Sequence, residues 1–327
     1  MTTAADDARR YALALLASLD EQQRRLVRGD LDDSDLRRWS YLPGDRPGLS
    51  MEHLTGAQHA LAVELLRSAH SSEGGDLAVG VVEIERVRRE LATGSPPDGD
   101  RYWVRVLGDP SGELPWGWRI NGHHLAVHVV VASGGTTITP HFVGSEPAVV
   151  PSGPYAGRRI LGPEEELARQ LATGLDPDQR AVGLSAEVAP DDILTRADPV
   201  ADPSLLPEGI GRDVLRSAQQ ELLDQLVRRY LNRAPASYAQ ACWREAKAAG
   251  LDQIRFAWAG PTALGEGHYY CVRAPEFLIE YDNTQDDANH AHSVWRHLRH
   301  DWGADLLREH YARRHPAKPA SPRLSRS

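Results

Sequence analysis

Apolar residues recur at helical spacing through the first third of the chain. One such stripe, with steps of three and four residues until Gly94 ends it, is formed by Val81, Ile84, Val87 and Leu91. Capping-box patterns, in which Ser or Thr is followed three residues later by Glu or Gln, occur at Ser18–Glu21 and Thr55–Gln58 ahead of apolar runs. These patterns predict a helical lobe over about residues 1–95.

From residue 101 the pattern changes to the alternation of β-strands, which recurs in two blocks. The blocks cover about residues 101–150 and 254–296, with turn-rich segments inside each and a helical stretch, opened by Pro163, between them. Each block has too few strands to cover a core by itself. We therefore expect an α+β fold in which helical N-terminal and central segments pack on one antiparallel or mixed sheet built from both blocks.

The same patterning predicts one domain over residues 1–315. Residues 303–312 indicate a closing helix, and the Pro-, Ser- and Arg-rich residues 316–327 indicate a disordered tail. Leu19-Asp20 and Leu175-Asp176 each run on to a Gln-Arg pair. This similarity is too short to establish a repeat.

Composition and charge exclude several classes of protein. The net charge of −9 with dispersed Arg residues argues against nucleic-acid binding, and no apolar run is long enough for a membrane span or a signal peptide. Two cysteines without metal-ligand spacing favour a reducing cytoplasm. We expect a cytoplasmic protein with a small-molecule substrate and neither nucleic-acid nor membrane partners, while the oligomeric state stays open.

Among 14 histidines, the first notable group lies in the segment Asn121-Gly-His-His-Leu-Ala-Val-His128. Strand alternation would place His124 and His128 on one face and His123 on the other, apolar face. Two interpretations fit the spacing equally: metal binding, or a solvated polar face with one hydrogen-bonded core histidine.

The second group combines His268 with the polar run that follows the last predicted strands. His290 and His292 form a His-x-His pair whose rings share one side in an extended chain, which suits chelation. Glu280 and Asp282, about ten residues upstream, could act as a ligand, as a clamp on an imidazole or as a general base. We favour metal binding here over an Asx-rich turn.

Several segments together resemble a known family: Trp116–Leu125, Phe256–Gly260, Gly267–Tyr270, Phe277–Gln285 and Asp287–Arg296. The chain is similar over nearly its whole length to the bacterial and fungal family called domain of unknown function 3500. The resemblance implies histidines at the positions of His123, His124, His268, His290 and His292, with acids at Glu280 and Asp282. His128 and His141 depart from the family pattern and are set aside. The resemblance implies no activity.

The two histidine groups lie in different strand blocks, so pairing of the blocks would bring them together. We expect a metal-dependent enzyme with His123, His124, His268, His290 and His292 as candidate ligands and with Glu280 or Asp282 orienting a ring or moving protons. An all-nitrogen set suits Cu or Fe and favours an oxidoreductase. A Zn-dependent hydrolase and a non-catalytic structural metal site are the alternatives.

Overall fold

The computed structural model describes residues 3–95, 99–132 and 135–314, so the predicted tail at 316–327 lies outside the described residues. Ten α-helices lie in these ranges: α1 (Ala4–Ser18), α2 (Glu21–Val27), α3 (Asp33–Leu36), α4 (Gly56–Ser68), α5 (Ser72–Thr93), α6 (Gly162–Thr173), α7 (Pro177–Gly183), α8 (Ser217–Leu231), α9 (Ala236–Ala249) and α10 (Ala304–Arg314). Within the same ranges, no helix is long and apolar enough to cross a bilayer.

Thirteen strands accompany the helices: β1 (Arg28–Gly29), β2 (Leu49–Ser50), β3 (Tyr102–Leu107), β4 (Trp116–Gly122), β5 (Leu125–Ala132), β6 (Gly135–Thr137), β7 (His141–Ser145), β8 (Leu184–Ala186), β9 (Ile210–Gly211), β10 (Arg255–Ala259), β11 (His268–Arg273), β12 (Phe277–Gln285) and β13 (His290–His297). All belong to one mixed sheet with the order β1-β3-β4-β5-β7-β13-β12-β11-β10-β8, while β2, β6 and β9 pair with its members from the side. The α+β prediction is confirmed.

The two strand blocks join where β7 pairs with β13. This antiparallel pair sets Ala291 opposite Ser145 and Trp295 opposite His141. Because every strand of the second block is then linked to the first through hydrogen bonds, the expected single sheet forms, and it carries both histidine groups.

Local capping explains where several helices begin. Thr55 caps α4 with Gln58 as predicted, and α6 has Pro163 in its first turn. The prediction at Ser18 is wrong by two residues, because Ser18 ends α1 and Asp20 caps α2 with Gln23. Asp20 therefore supplies the capping side chain of α2, because Ser18 still lies within α1.

Each face of the sheet is covered by a different kind of structure. On one side, which we call the helix face, residues such as Val127 and Tyr281 pack in the main apolar core with α1, α4, α5, α6 and α8. On the other side, the loop face, Phe142 and Val294 pack against the irregular segments that contain Trp39, Tyr41, Ile193 and Trp302. Along β12, Glu280 and Asp282 therefore point to the loop face, while Tyr281 points to the helix face.

The chain is built from two halves with the same topology, residues 4–145 and 162–297. In the first half, β1 lies parallel and β2 antiparallel to β3; in the second, β8 lies parallel and β9 antiparallel to β10. Read from either edge of the sheet towards its centre, the strands β3, β4, β5 and β7 correspond to β10, β11, β12 and β13. This matching order on the two sides of the antiparallel β7–β13 pair is that of a two-fold repeat, with β6 as an addition in the first half.

A pair of interlocked glutamines repeats in the two halves. Gln23 and Gln58 exchange side-chain hydrogen bonds, as Gln179 and Gln219 do. Gln58 also donates to the Ser18 carbonyl and Gln219 to that of Gly174, each at 2.8 Å. The Leu-Asp segments noted in the sequence supply the first glutamine of each pair, so that short similarity does mark a repeat.

Candidate metal centre

His123 and His124 form the two-residue turn between β4 and β5. Gly122 pairs with Leu125, so neither histidine belongs to a strand, and His124 has a positive φ of 61°. Their rings lie together, with centroids 3.6 Å apart. The predicted placement on opposite faces is wrong, because alternation applies only within an extended strand.

Gly144 on β7 makes room for the His124 ring. A Cβ at this glycine would lie 2.6 Å from Cδ2 of His124, and the Gly144 N–H donates to the His124 carbonyl at 2.7 Å. Since Gly144 stands opposite His292 in the β7–β13 pair, the turn delivers His124 to the start of β13.

The structure brings four of the five predicted histidines together at this point. Nε2 of His124 lies 2.7 Å from Nε2 of His290, and the His292 ring centroid is 4.8 Å from that of His290 and 5.3 Å from that of His124. The turn between β4 and β5 in the first half and strand β13 in the second half supply these rings. We call His123, His124, His290 and His292 the histidine centre.

Glu146, just after β7, adds a carboxylate to this group. Its Oε2 lies 3.8 Å from Nε2 of His123. Four ligand atoms lie within 4.8 Å of one another here, one each from His123, His124, His290 and Glu146. This spacing fits residues around a single metal ion.

Three of the rings are each held by a separate carboxylate at Nδ1. Glu85 on α5 lies 2.8 Å from His123, Asp286 lies 2.9 Å from His290, and Asp192 lies 2.8 Å from His292. A carboxylate accepts the Nδ1–H and leaves the Nε2 lone pair free. Because Asp286 fixes this tautomer of His290, the proton between His290 and His124 comes from Nε2 of His124, and a metal ion would replace it.

Burial keeps the central rings uncharged. It lowers the pKa of His124 well below the usual value, and the neighbouring imidazoles of His123, His292 and His290 lower it further. Burial also lowers the pKa of His290, with a further contribution from His292. Neutral imidazoles are the form that binds metals.

Two of the orienting carboxylates, Asp192 and Glu85, stay ionised in spite of their burial. Burial alone would raise the pKa of Asp192, but the hydrogen bonds from His292 and Tyr41 hold it below its usual value. The same balance applies to Glu85, which His123 and Arg88 contact. Each acid can therefore accept a proton-sharing bond from its imidazole near neutral pH.

His268 does not join the histidine centre, which differs from the prediction. It pairs with Asn283 and stacks on Trp258 at 4.7 Å and Tyr281 at 5.7 Å, all on the helix face. His292 pairs with Asp282 and faces the other side of the sheet. The period of two along adjacent strands separates these side chains.

Glu280 and Asp282 have different surroundings. Glu280 is fully buried and accepts hydrogen bonds from the N–H groups of Leu194 and Thr195 and from the hydroxyls of Thr195 and Tyr269. It thus fixes the loop that presents Asp192. Asp282 stands beside His292, bonds the Thr284 hydroxyl, and burial raises its pKa to about 8.

The two histidines that were set aside lie elsewhere. His128 packs against Trp302, with ring centroids 4.9 Å apart, and His141 lies with its Nε2 3.0 Å from that of His70. Neither ring contacts the histidine centre.

Sequence reasoning missed Glu85, Glu146 and Asp192. Glu85 did carry a signal, because it continues the buried stripe of Ala78, Val81 and Val82 at helical spacing and is itself buried. A charged residue on an apolar stripe needs a partner. Glu146 and Asp192 lie in irregular segments, where no periodicity marks them.

Fold and site together define an α+β protein with a centre of histidines and carboxylates. The chain matches, over residues 2–304, the family described as "Protein of unknown function (DUF3500)", and it belongs to that family. The resemblance noted in the sequence is confirmed. No curated protein and no solved structure matches the chain significantly.

Proposed function

We propose that the protein is a metal-dependent enzyme, an oxidoreductase that uses a histidine-bound Fe or Cu ion on a small organic substrate. The observation that supports it best is the set of three carboxylates, Glu85, Asp192 and Asp286, which hold three imidazoles with Nε2 unprotonated. Carboxylate-oriented histidines are typical of metal sites, because the second contact fixes both tautomer and direction.

The donor atoms favour particular metals. His123, His124 and His290 offer nitrogen and Glu146 offers oxygen. A set of histidines with one carboxylate is typical of non-haem Fe(II) sites with open positions, whereas Cu is favoured by nitrogen alone. A bound Fe or Cu ion would supply one-electron chemistry. The carboxylate therefore shifts our preference towards Fe.

The chain's own groups would orient and protect such a centre. Glu85, Asp192 and Asp286 fix the ring directions, Glu280 fixes the loop of Asp192, and His292 is a further ligand or a proton carrier beside the set. Tyr41 reinforces Asp192 through its hydroxyl at 2.8 Å. A cytoplasmic location and a small-molecule substrate stay predictions from the sequence.

A Zn-dependent hydrolase is the second candidate, favoured by the presence of Glu146. Histidines with one glutamate also form catalytic zinc sites, in which the metal lowers the pKa of bound water. Turnover that survives replacement by Zn would support hydrolysis. Loss of oxygen consumption on this replacement would support oxidation.

The decisive experiment begins with elemental analysis of the protein as isolated and after anaerobic loading with Fe(II) or Cu(I). We expect one Fe or Cu ion per chain at the histidine centre, and the double variant His290→Ala/His292→Ala should lose this ion with a near-unchanged circular dichroism spectrum. His53→Ala, at an exposed position, is the control and should retain the ion.

Two outcomes would overturn the proposal. Failure to bind either ion stoichiometrically would exclude an Fe or Cu enzyme. Wholesale unfolding of the double variant would indicate a structural ion instead.

A further inference from the structure

A second group of metal-ligand side chains lies at the far end of β13. It consists of Cys242 and Glu245 on α9 with His297 and His300, and we call it the second cluster. One ligand atom each from Cys242, His297 and His300 can be chosen within 4.8 Å of the others. Oε2 of Glu245 lies 3.4 Å from Nε2 of His297 and 3.7 Å from Nε2 of His300.

The two-fold repeat places the second cluster at the counterpart of the histidine centre. The Leu298 N–H donates to the Glu276 carbonyl at 2.8 Å, as the Gly144 N–H does to that of His124 at 2.7 Å. Pro275-Glu276 is the two-residue turn between β11 and β12, as His123-His124 is between β4 and β5. Both groups therefore lie beside the end of a central strand and the matching hairpin turn.

The second cluster contains buried polar atoms that lack hydrogen-bond partners. His297 is fully buried and its Nε2 has no hydrogen bond, since its 3.4 Å approach to Glu245 lacks the required geometry. Nδ1 of His300 is buried and unpartnered as well. Cys242 is 1% exposed, and burial raises the pKa of its thiol to about 12. Buried nitrogens without partners are costly unless something else satisfies them.

We propose that the second cluster binds a zinc ion through Cys242, His297 and His300, with Glu245 as the fourth ligand. One sulfur, two nitrogens and one oxygen suit the tetrahedral coordination of zinc, and four protein ligands close the site. The ion would tie α9 to the end of β13.

Some rearrangement accompanies binding. The rings of His297 and His300 are parallel, at 3.7 Å between centroids, so one ring must turn for both nitrogens to converge. The side chain of His300 is 17% exposed and can turn, whereas His297 is enclosed. Asp305, 3.6 Å from Nε2 of His300, would lose that contact.

Binding must also displace protons. Nδ1 of His297 accepts the N–H groups of Arg299 and His300 at 3.4 and 3.3 Å, which leaves the ring proton on Nε2. Binding through Nε2 moves this proton to Nδ1, which gives up its two long contacts with the backbone, and the Cys242 thiol releases its proton to solvent, so affinity rises with pH.

Cobalt tests the proposal, because Co(II) bound by a thiolate absorbs in the near ultraviolet and the histidine centre contains no sulfur. Wild type loaded with Co(II) should show this charge-transfer band. The band should disappear in Cys242→Ser and persist in Cys271→Ser, the matched change at the other buried cysteine. His290→Ala/His292→Ala should keep it, which separates this test from that of the histidine centre.

Zinc stoichiometry completes the test. Cys242→Ser should bind one zinc ion fewer than wild type, and affinity should increase between pH 6 and 8. Should Cys242→Ser fail to fold, His300→Ala at the partly exposed position should lose the band instead. Absence of the cobalt band in wild type would overturn the proposal. Persistence of the band in folded Cys242→Ser, or in His300→Ala where Cys242→Ser does not fold, would overturn it as well.

Discussion

The histidine centre and the second cluster lie at matching places in the two halves, yet their rings are arranged differently. In the histidine centre His290 meets its neighbours edge to face, with interplanar angles of 83° to His124 and 82° to His292, while His123 and His124 are inclined by 31°. In the second cluster His297 and His300 are parallel within 3°. The edge-to-face arrangement turns nitrogens of several rings toward the same space, and a metal ion there would part the 2.7 Å contact between His124 and His290.

The carboxylates explain this difference. In the histidine centre Glu85, Asp192 and Asp286 each hold one Nδ1, whereas Nδ1 of His297 accepts backbone N–H groups. Glu85 lies on α5, which has 22 residues against 14 in its counterpart α9. The repeated fold thus provides two equivalent places for a cluster of histidines. The carboxylates around each place decide which ring nitrogen carries the proton and which can bind a metal ion.

The largest effect is expected from removing an orienting carboxylate. With His292 as a ligand, Asp192→Asn should weaken metal binding at the histidine centre about 10- to 100-fold, because the amide no longer fixes the tautomer of His292. The affinity is measured by zinc competition with a chromophoric chelator in a Cys242→Ser background, which leaves out the second cluster.

Asp191→Asn is the control for this change. Asp191 adjoins Asp192, but its exposed side chain contacts Arg196. The affinity should stay within about twofold, as expected of an exposed ion pair. Equal losses in the two variants would show that loop charge, rather than the contact with His292, affects binding, and the contrast between the clusters would need another cause.

A pH-dependent effect is expected at the junction of the halves. His70 is buried against His141, with Arg233 and Arg67 nearby, and burial lowers its pKa to about 4. The unfolded chain, with an ordinary pKa near 6.5, binds more protons, so stability is lost as pH falls from about 6.5 to 4.

His70→Gln should reduce this loss. The glutamine removes one group that binds a proton on unfolding. The slope of the unfolding free energy against pH should therefore fall by up to about 1.4 kcal/mol per pH unit in that window. Urea unfolding at several pH values measures it, with His53→Gln at an exposed position as the control. An unchanged slope in His70→Gln would mean that this histidine titrates normally.

The sequence predicted the main architecture and most of the histidine centre, for identifiable reasons. Alternating and helical periods located the strand blocks and helices, and the motifs at His123-His124 and at His290 and His292 were noticeable in themselves. It could not show that the first pair forms a turn or that His268 lies on the other face. Turn length and register depend on pairing between segments that are far apart in the chain.

Other features were hidden for different reasons. Glu146 and Asp192 come from irregular segments whose positions depend on tertiary contacts, including the bonds from Glu280 to residues 194 and 195. In the sequence, the repeat left only the similarity between the two Leu-Asp segments that run on to Gln-Arg. At most equivalent positions, the two halves keep the same structural role but not the same residue. Gln58 and Gln219 are an exception that preserves the same contacts.

The smallest effect is expected from these glutamines. Gln58→Ala and Gln219→Ala should each lower the free energy of unfolding by about 1–2 kcal/mol, since each buried amide bonds a cap N–H, a carbonyl and its partner glutamine. The two sites share no partner, so the double variant should lose the sum within about 0.5 kcal/mol. Gln225→Ala, at an exposed position on α8, should change stability by less than about 0.5 kcal/mol. Urea unfolding gives all four values; a cost at one glutamine and none at the other would show that the halves, although built alike, do not depend on the same contact.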